Sequence, residues 1–322
     1  MKNRRILGMG YAIPDTCVHN DDLQQVMDTD DAWISSRTGI HSRYISTHEN
    51  ASDLAYRAAM QAMEDANIKK TTIDLIIVAT MTPDHITPST ACLLQAKLGL
   101  NENHVMAFDV NAACSGFVYA TQIASSMLEE YTCALVVGVD VNSKLLDWHD
   151  RSTSILFGDG AGAIVLKREA SEKEFIHFAQ SKGDVDGFLK CQGITQSVPL
   201  QNANREVGYL YQRGNEVFRF AVASLQEALA KVLIKADKRM EDIDLIIPHQ
   251  ANVRIIANVA RQLQVPMEKF YTILESFGNT SAGSIPMALA MAKEEGKLQA
   301  GMKIIFVGFG AGFTYAATYY EV

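Results

Sequence analysis

A cysteine stands at the head of a helical stretch in Asn111-Ala-Ala-Cys114-Ser-Gly-Phe-Val-Tyr-Ala120, just after an apolar strand segment. Behind it Phe117, Ala120, Ile123, Ala124, Met127 and Leu128 recur at helical spacing. A thiol in the first turn of a helix meets unpaired N–H groups and the positive end of the helix dipole, which favour thiolate and lower its pKa. That position suits a nucleophile, although a lone cysteine in such a setting also reads as a small buried residue. Pro248-His249-Gln-Ala-Asn-Val-Arg254 puts a histidine at the end of a second buried strand, where ligand-facing residues of α/β sheets gather; a hydrogen-bonded structural histidine fits there equally. Gly278-Asn279-Thr-Ser-Ala-Gly283 opens a helix after a further strand, so Asn279 is either a helix cap or the positional counterpart of Cys114 in a duplicated half. Gly308-Phe-Gly-Ala-Gly-Phe313 and Phe157-Gly-Asp-Gly-Ala-Gly-Ala163 match neither dinucleotide nor P-loop spacing. They read as tight turns that bring backbone close to a site.

The elements that must position these residues occur twice. Lys70-Thr-Thr-Ile-Asp-Leu-Ile-Ile-Val-Ala79 returns as Met240-Glu-Asp-Ile-Asp-Leu-Ile-Ile-Pro-His249. Each copy follows a helical pattern, Leu54 to Ala66 and Val222 to Ile234. Each is followed by a second predicted helix (Ser89 to Leu98, Asn252 to Leu263), a short strand (Val105 to Val110, Phe270 to Leu274), a Gly-containing turn and another helix. The runs Leu75 to Val78, Ala134 to Val139, Ala163 to Leu166, Leu245 to Ile247 and Ile304 to Val307 are continuously apolar and rich in Val and Ile, as suits strands covered on both faces. The expected fold is α/β, built from two similar halves, 1–170 with the cysteine and 171–322 with the histidine and asparagine. Between about Ser171 and Arg213 periodicity fades, which predicts loops and short strands near a ligand entrance.

The bulk properties narrow the function. A chain of 322 residues, 48% apolar and 20% charged, can bury two cores. No apolar run reaches the roughly 18 residues of a membrane span, and Ile6 to Pro14, behind the basic start, is broken by two glycines and a proline, giving a first strand and turn rather than a signal peptide. Five cysteines, odd in number and without Cys-x-x-Cys spacing, indicate neither disulfide framework nor zinc site, and imply a cytoplasmic location. A formal charge of −8 argues against nucleic acid or an anionic membrane as general partner. An acidic partner would need a local basic patch.

Taken in order, these motifs resemble the β-ketoacyl-acyl-carrier-protein synthase III family of thiolase-like condensing enzymes, nearly end to end. The resemblance also rests on Asp28-Thr-Asp-Asp-Ala-Trp-Ile-Ser-Ser-Arg-Thr-Gly-Ile40, Asp150-Arg-Ser-Thr153 and Gly214-Asn-Glu-Val-Phe218. It implies a five-layered αβαβα fold, a homodimer, and Cys114, His249 and Asn279 at the base of a tunnel. It further implies acyl transfer from an acyl-CoA to Cys114 and decarboxylative condensation with malonyl-acyl carrier protein to start fatty-acid synthesis, without metal or resident cofactor, the alternative being a secondary-metabolite condensing enzyme or acyltransferase of the same fold. By family position the oxyanion is held by the N–H groups of Cys114 and Ala311. Trp33 and Arg151 stack on the CoA adenine, Arg37 lies near phosphate, and Asn215 and Asn252 follow the pantetheine arm. Arg219, Arg254 and Arg261 would form the carrier-protein patch. Because no histidine follows His249 and no cysteine follows Cys191, the elongating and degradative relatives fit less well than the initiating kind.

The chain departs from the family pattern where three glycines are usual, reading Gly310-Ala311-Gly312. An alanine serves there only if its φ stays negative. Thr314-Tyr315-Ala316 replaces Thr-Trp-Gly, and Thr87 replaces a bulkier residue that closes the partner's acyl pocket, so a primer larger than acetyl is expected. Two readings from other classes remain: a cysteine hydrolase, since papain-like enzymes share the Cys, His, Asn order, and a non-catalytic CoA or carrier-protein scaffold.

Overall fold

Leu75 to Ala79 are all buried, yet they divide by parity: Leu75, Ile77 and Ala79 join one core, Ile76 and Val78 another. A strand apolar on both faces is stable only between two helical layers, and the chain supplies them. The computed structural model describes residues 4–170, 175–193 and 208–322. Along it run β1 (Arg4–Ala12), β2 (Thr16–His19), α1 (Asp31–Thr38), β3 (Ser42–Ile45), α2 (Ala51–Asp65), β4 (Leu75–Ala79), α3 (Thr90–Lys97), β5 (Met106–Val110), α4 (Gly116–Met127), β6 (Cys133–Asp140) and β7 (Gly160–Arg168). There follow β8 (Phe175–Ser181), β9 (Leu189–Cys191), β10 (Leu210–Gln212), α5 (Gly214–Ala236), β11 (Leu245–Pro248), α6 (Val253–Leu263), α7 (Leu274–Phe277), α8 (Ser284–Glu294), β12 (Lys303–Gly310) and β13 (Thr314–Glu321).

The first large sheet has the order β1-β7-β6-β4-β5, and the second β8-β13-β12-β11. Helices α4 and α8 lie between them, with Phe117, Ala124, Ile285 and Leu289 in one core beside Ile77 of the first sheet and Phe306 of the second. From Ser284 to Ala292 every residue of α8 is buried, as a helix enclosed on all sides requires. Helices α2 and α3 cover the outer face of the first sheet, and α5 and α6 that of the second. The five layers αβαβα are those expected.

One expected strand needs correction. Phe270 to Leu274 do not form a strand: a single parallel bridge joins Phe270 to Ile246, after which the chain turns into α7. The buried side chain of Gln250 takes the place of a ladder there, accepting from the Ile273 N–H at 3.0 Å and donating to the Pro248 carbonyl at 2.6 Å. The described part of 171–213 holds the expected strands: β8 pairs with β13 over seven residues and buries Phe175 and His177, and the short β9 and β10 pair with each other and bring Leu189 and Leu210 to the cavity that Cys114 lines.

The halves correspond closely enough to number against each other. Matching Leu75 with Leu245 matches Ala134 with Ile304 across the parallel ladders, and hence Gly138 with Gly308 and Asp140 with Gly310. At the two buried helix starts, Ala113 (φ 46°) and Ser281 (φ 50°) share a left-handed conformation. Each N–H is accepted by an asparagine two residues earlier, Asn111 Oδ1 at 3.2 Å and Asn279 Oδ1 at 2.9 Å. Cys114 therefore corresponds to Ala282, and Asn279 to Asn111; the expected pairing of Asn279 with Cys114 was three residues out.

Candidate active site

Cys114 sits in the turn before α4, where the chain leaves β5 and must fold back between the sheets; it is 8% exposed. Burial pushes its thiol up to about 12, so desolvation outweighs the helix end, and the expected lowering of its pKa is not what the fold produces. At neutral pH the resting group is a thiol. Gly310 closes over it: a Cβ there would lie 2.8 Å from the Cys114 nitrogen, so only glycine leaves this approach open.

His249 follows β11 and is 1% exposed. Its Nδ1 lies 2.7 Å from Ser284 Oγ, and the Phe309 ring meets it edge-on at 5.3 Å. Burial lowers its pKa to about 3, which keeps the imidazole neutral. Asn279 is fixed by its backbone to the strap before β7, donating to the Leu156 carbonyl at 2.8 Å and accepting from the Gly158 N–H at 3.1 Å. Its Oδ1 is held by Ser281, which leaves Nδ2 as the free donor.

All three side chains line one cavity of about 130 Å³, together with Phe157, Leu189, Leu210 and Phe309 among its apolar walls. Ala311 lines it too, and its φ is not positive. The conformation that requires glycine falls on Gly312 (φ 138°), so alanine is accommodated at 311 without strain. Thr314 Oγ1 lies within 3.1 Å of the Ala112 and Ala311 carbonyls, pinning the last Gly-rich turn to the cysteine turn. Tyr315 and Ala316 do not line the cavity; both are buried in β13, so the expected change of pocket wall does not arise from them. Thr87, expected at the partner's pocket, is exposed in the single chain.

The outer residues are placed less uniformly. Arg37 and Arg151 both stack on Trp33, at 4.4 and 4.8 Å from the ring centre. A flat ring between Trp33 and Arg151 needs about 3.5 Å on each face, so Arg151 must retreat before a sandwich can form. Asn252 lines the cavity, but its side chain already caps α6, accepting from the Arg254 N–H at 2.8 Å and donating to the Arg37 carbonyl at 3.2 Å. Asn215 is exposed in the first turn of α5, outside the cavity lining. Arg219, Arg254 and Arg261 are exposed on α5 and α6, which pack side by side, and none pairs with a carboxylate among the described residues. Arg254 instead donates to the Ser36 carbonyl at 2.8 Å, joining α6 to α1.

Sequence reasoning passed over Ser284, Phe309 and the buried Asp140. The carboxylate of Asp140 receives the Thr80 and Thr82 hydroxyls at 3.0 Å each, the Met81 N–H at 2.8 Å and the Ala282 N–H at 3.2 Å. Its position matches that of Gly310 in the second half, a correspondence that the paired ladders give.

The sequence model of 3-oxoacyl-[acyl-carrier-protein] synthase III matches residues 108–184, and that of the same synthase's C-terminal part matches residues 233–322. A relative from Clostridium perfringens (strain SM101 / Type A), named beta-ketoacyl-[acyl-carrier-protein] synthase III, is 46% identical over 325 aligned positions that cover 98% of both chains. One of the same name from Acholeplasma laidlawii (strain PG-8A) is 46% identical and covers 100% of both. The crystal structure of 3-oxoacyl-[acyl-carrier-protein] synthase III from Aquifex aeolicus VF5 superposes with a TM-score of 0.91 at 40% identity, covering 99% of this chain and 100% of that one. Fold and relatives together define the class, the thiolase-like condensing enzymes, which are acyltransferases. Within it, the chain belongs to the β-ketoacyl-acyl-carrier-protein synthase III family. That assignment leaves no place for the cysteine-hydrolase reading.

Proposed function

We propose that the chain starts fatty-acid synthesis by joining an acyl-CoA primer to malonyl-acyl carrier protein through an acyl-Cys114 intermediate. The observation that carries this reading is that Cys114, from the first half, lines one apolar cavity with His249 and Asn279 from the second. The division of the chain at 1–170 and 171–322 belongs to the same proposal.

In the first stage the Cys114 sulfur attacks the thioester carbonyl. The S–C bond to Cys114 forms, the bond to CoA breaks, and the thiol proton ends on the departing CoA sulfur. The oxyanion sits between the N–H groups of Cys114 and Ala311, which Gly310 leaves open. In the second stage a malonyl thioester loses CO₂, and His249 and Asn279 donate to the oxygen that becomes enolate-like. Each such donor is worth roughly 3 kcal/mol of barrier. The new carbanion attacks the acyl carbonyl, the C–S bond to Cys114 breaks, and the departing thiolate takes up a proton from water. A neutral His249 suits this donation, because no proton has to be lost or gained in its resting state.

Arg219, Arg254 and Arg261 are the proposed contact for the acidic carrier, and Trp33, Arg37, Arg151, Asn215 and Asn252 for CoA. Arg151 swings off Trp33 as the adenine enters. Homodimer formation is proposed at β5, an edge strand of the first sheet, where Met106 is 44% exposed. Among the described residues no helix is long and apolar enough to cross a membrane, and a cytoplasmic location is proposed. Intact-mass analysis after exposure to a panel of acyl-CoAs tests the reading. One adduct is expected, absent in Cys114→Ala, and its preferred chain length reports the primer; release of free acid, or no adduct with any primer, contradicts it.

A further inference from the structure

The cavity-side nitrogen of His249 can act only if it carries the right hydrogen. A neutral imidazole has two tautomers, and one of its nitrogens is turned away from the cavity onto Ser284 Oγ at 2.7 Å. Both residues are enclosed, Ser284 fully and His249 to within 1%. Enclosure makes the accounting of hydrogens strict, because a buried hydroxyl without an acceptor is costly.

Ser284 Oγ has one hydrogen to give, and His249 Nδ1 is its one hydrogen-bond partner among the described residues. If Nδ1 bore the proton, it would donate to Ser284, and the Ser284 hydrogen would have nowhere to go. If Nδ1 is the bare nitrogen, Ser284 donates to it and both groups are satisfied. The second arrangement leaves the imidazole proton on Nε2, directed into the cavity.

The duplicated half gives an independent observation. The counterparts of His249 and Ser284 are Ala79 and Gly116, which follow from the matched strands and helix starts. These two also touch: a Cβ on Gly116 would lie 3.2 Å from the Ala79 Cβ. Packing at this crossing is therefore met by Gly and Ala alone. The second half sets a hydroxyl and an imidazole in the same contact, which packing does not require.

We propose that Ser284 is a positioning residue that fixes the tautomer of His249, donating to Nδ1 so that Nε2–H is held ready for the substrate oxygen. The inference rests on the proposed role of His249. It assigns Ser284 to the condensation stage and not to loading of Cys114.

The ¹⁵N shifts of His249 in histidine-labelled wild-type protein test it without any risk to folding, the signal being assigned by its loss in His249→Ala. A pyridine-like Nδ1 with a pyrrole-like Nε2 is expected; a pyrrole-like Nδ1 overturns the proposal. In Ser284→Ala, acyl loading of Cys114 is expected at the wild-type rate while condensation falls about tenfold or more, and Ser284→Thr, which keeps the hydroxyl, is expected to recover it. Condensation at the wild-type rate in Ser284→Ala overturns the proposal while leaving His249 in place. Wild-type condensation in His249→Ala removes the role of His249 itself, and the proposal with it.

Discussion

At one helix start the Ala282 N–H meets the carboxylate of Asp140 at 3.2 Å; at its twin the Cys114 N–H faces Gly310, which has no side chain. Both turns share a left-handed residue, an asparagine that holds it, and a glycine on the crossing strand, Gly138 or Gly308. What differs is the filling. The Ala282 side is completed internally, with four donors spent on Asp140 and Ala79 and Gly116 in plain contact. The Cys114 side is left incomplete, with an open N–H, an imidazole and a carboxamide bordering a cavity. One architecture thus gives a structural joint and a reactive site, and the difference lies in which donors have been given a partner by the protein itself.

Moving the filling from one side to the other breaks the comparison most severely. Gly310→Asp places a carboxylate where the reading puts an oxyanion, and acyl loading of Cys114, followed by intact mass in a single turnover, is expected to fall by about a thousandfold. Loading within tenfold of wild type, with circular dichroism showing an intact fold, would mean that the Cys114 N–H does not hold the oxyanion. Emptying the other side is expected to cost stability. Asp140→Ala strands the Ala282 and Met81 N–H groups in the interior, and urea unfolding is expected to show a loss of about 3 kcal/mol. The smallest effect concerns the thiol alone. With its pKa raised to about 12, thiolate is scarce at neutral pH. Alkylation of Cys114 by iodoacetamide should therefore climb about tenfold per pH unit between pH 7 and 9 without levelling. A plateau below pH 8 would restore the lowered pKa that the helix end suggests.

The layers were legible because buried strands of Val and Ile announce themselves, and the echo of Leu75-Ile-Ile in Leu245-Ile-Ile located both sheets. The end of Phe270 to Leu274 was not, since a buried glutamine side chain replaces a ladder that composition alone suggests. Cys114, His249 and Asn279 were visible as residue types placed after strands. The sign of the Cys114 shift was not, because desolvation depends on how completely the second half covers the turn. Arg37 stacks on Trp33 from four residues along the same helix, whereas Arg151 reaches the ring from a turn that meets α1 only in the folded chain.

Acyl-enzyme trapping in His249→Ala tests the division of labour between the halves most directly. The variant, loaded with acyl-CoA and then given malonyl-acyl carrier protein, is expected to take up one acyl group on Cys114 as fully as wild type and to keep it, with discharge slowed at least about a hundredfold. A variant that fails to load, or that loads and discharges at the wild-type rate, would contradict the assignment of nucleophile and enolate stabiliser to opposite sides of the cavity.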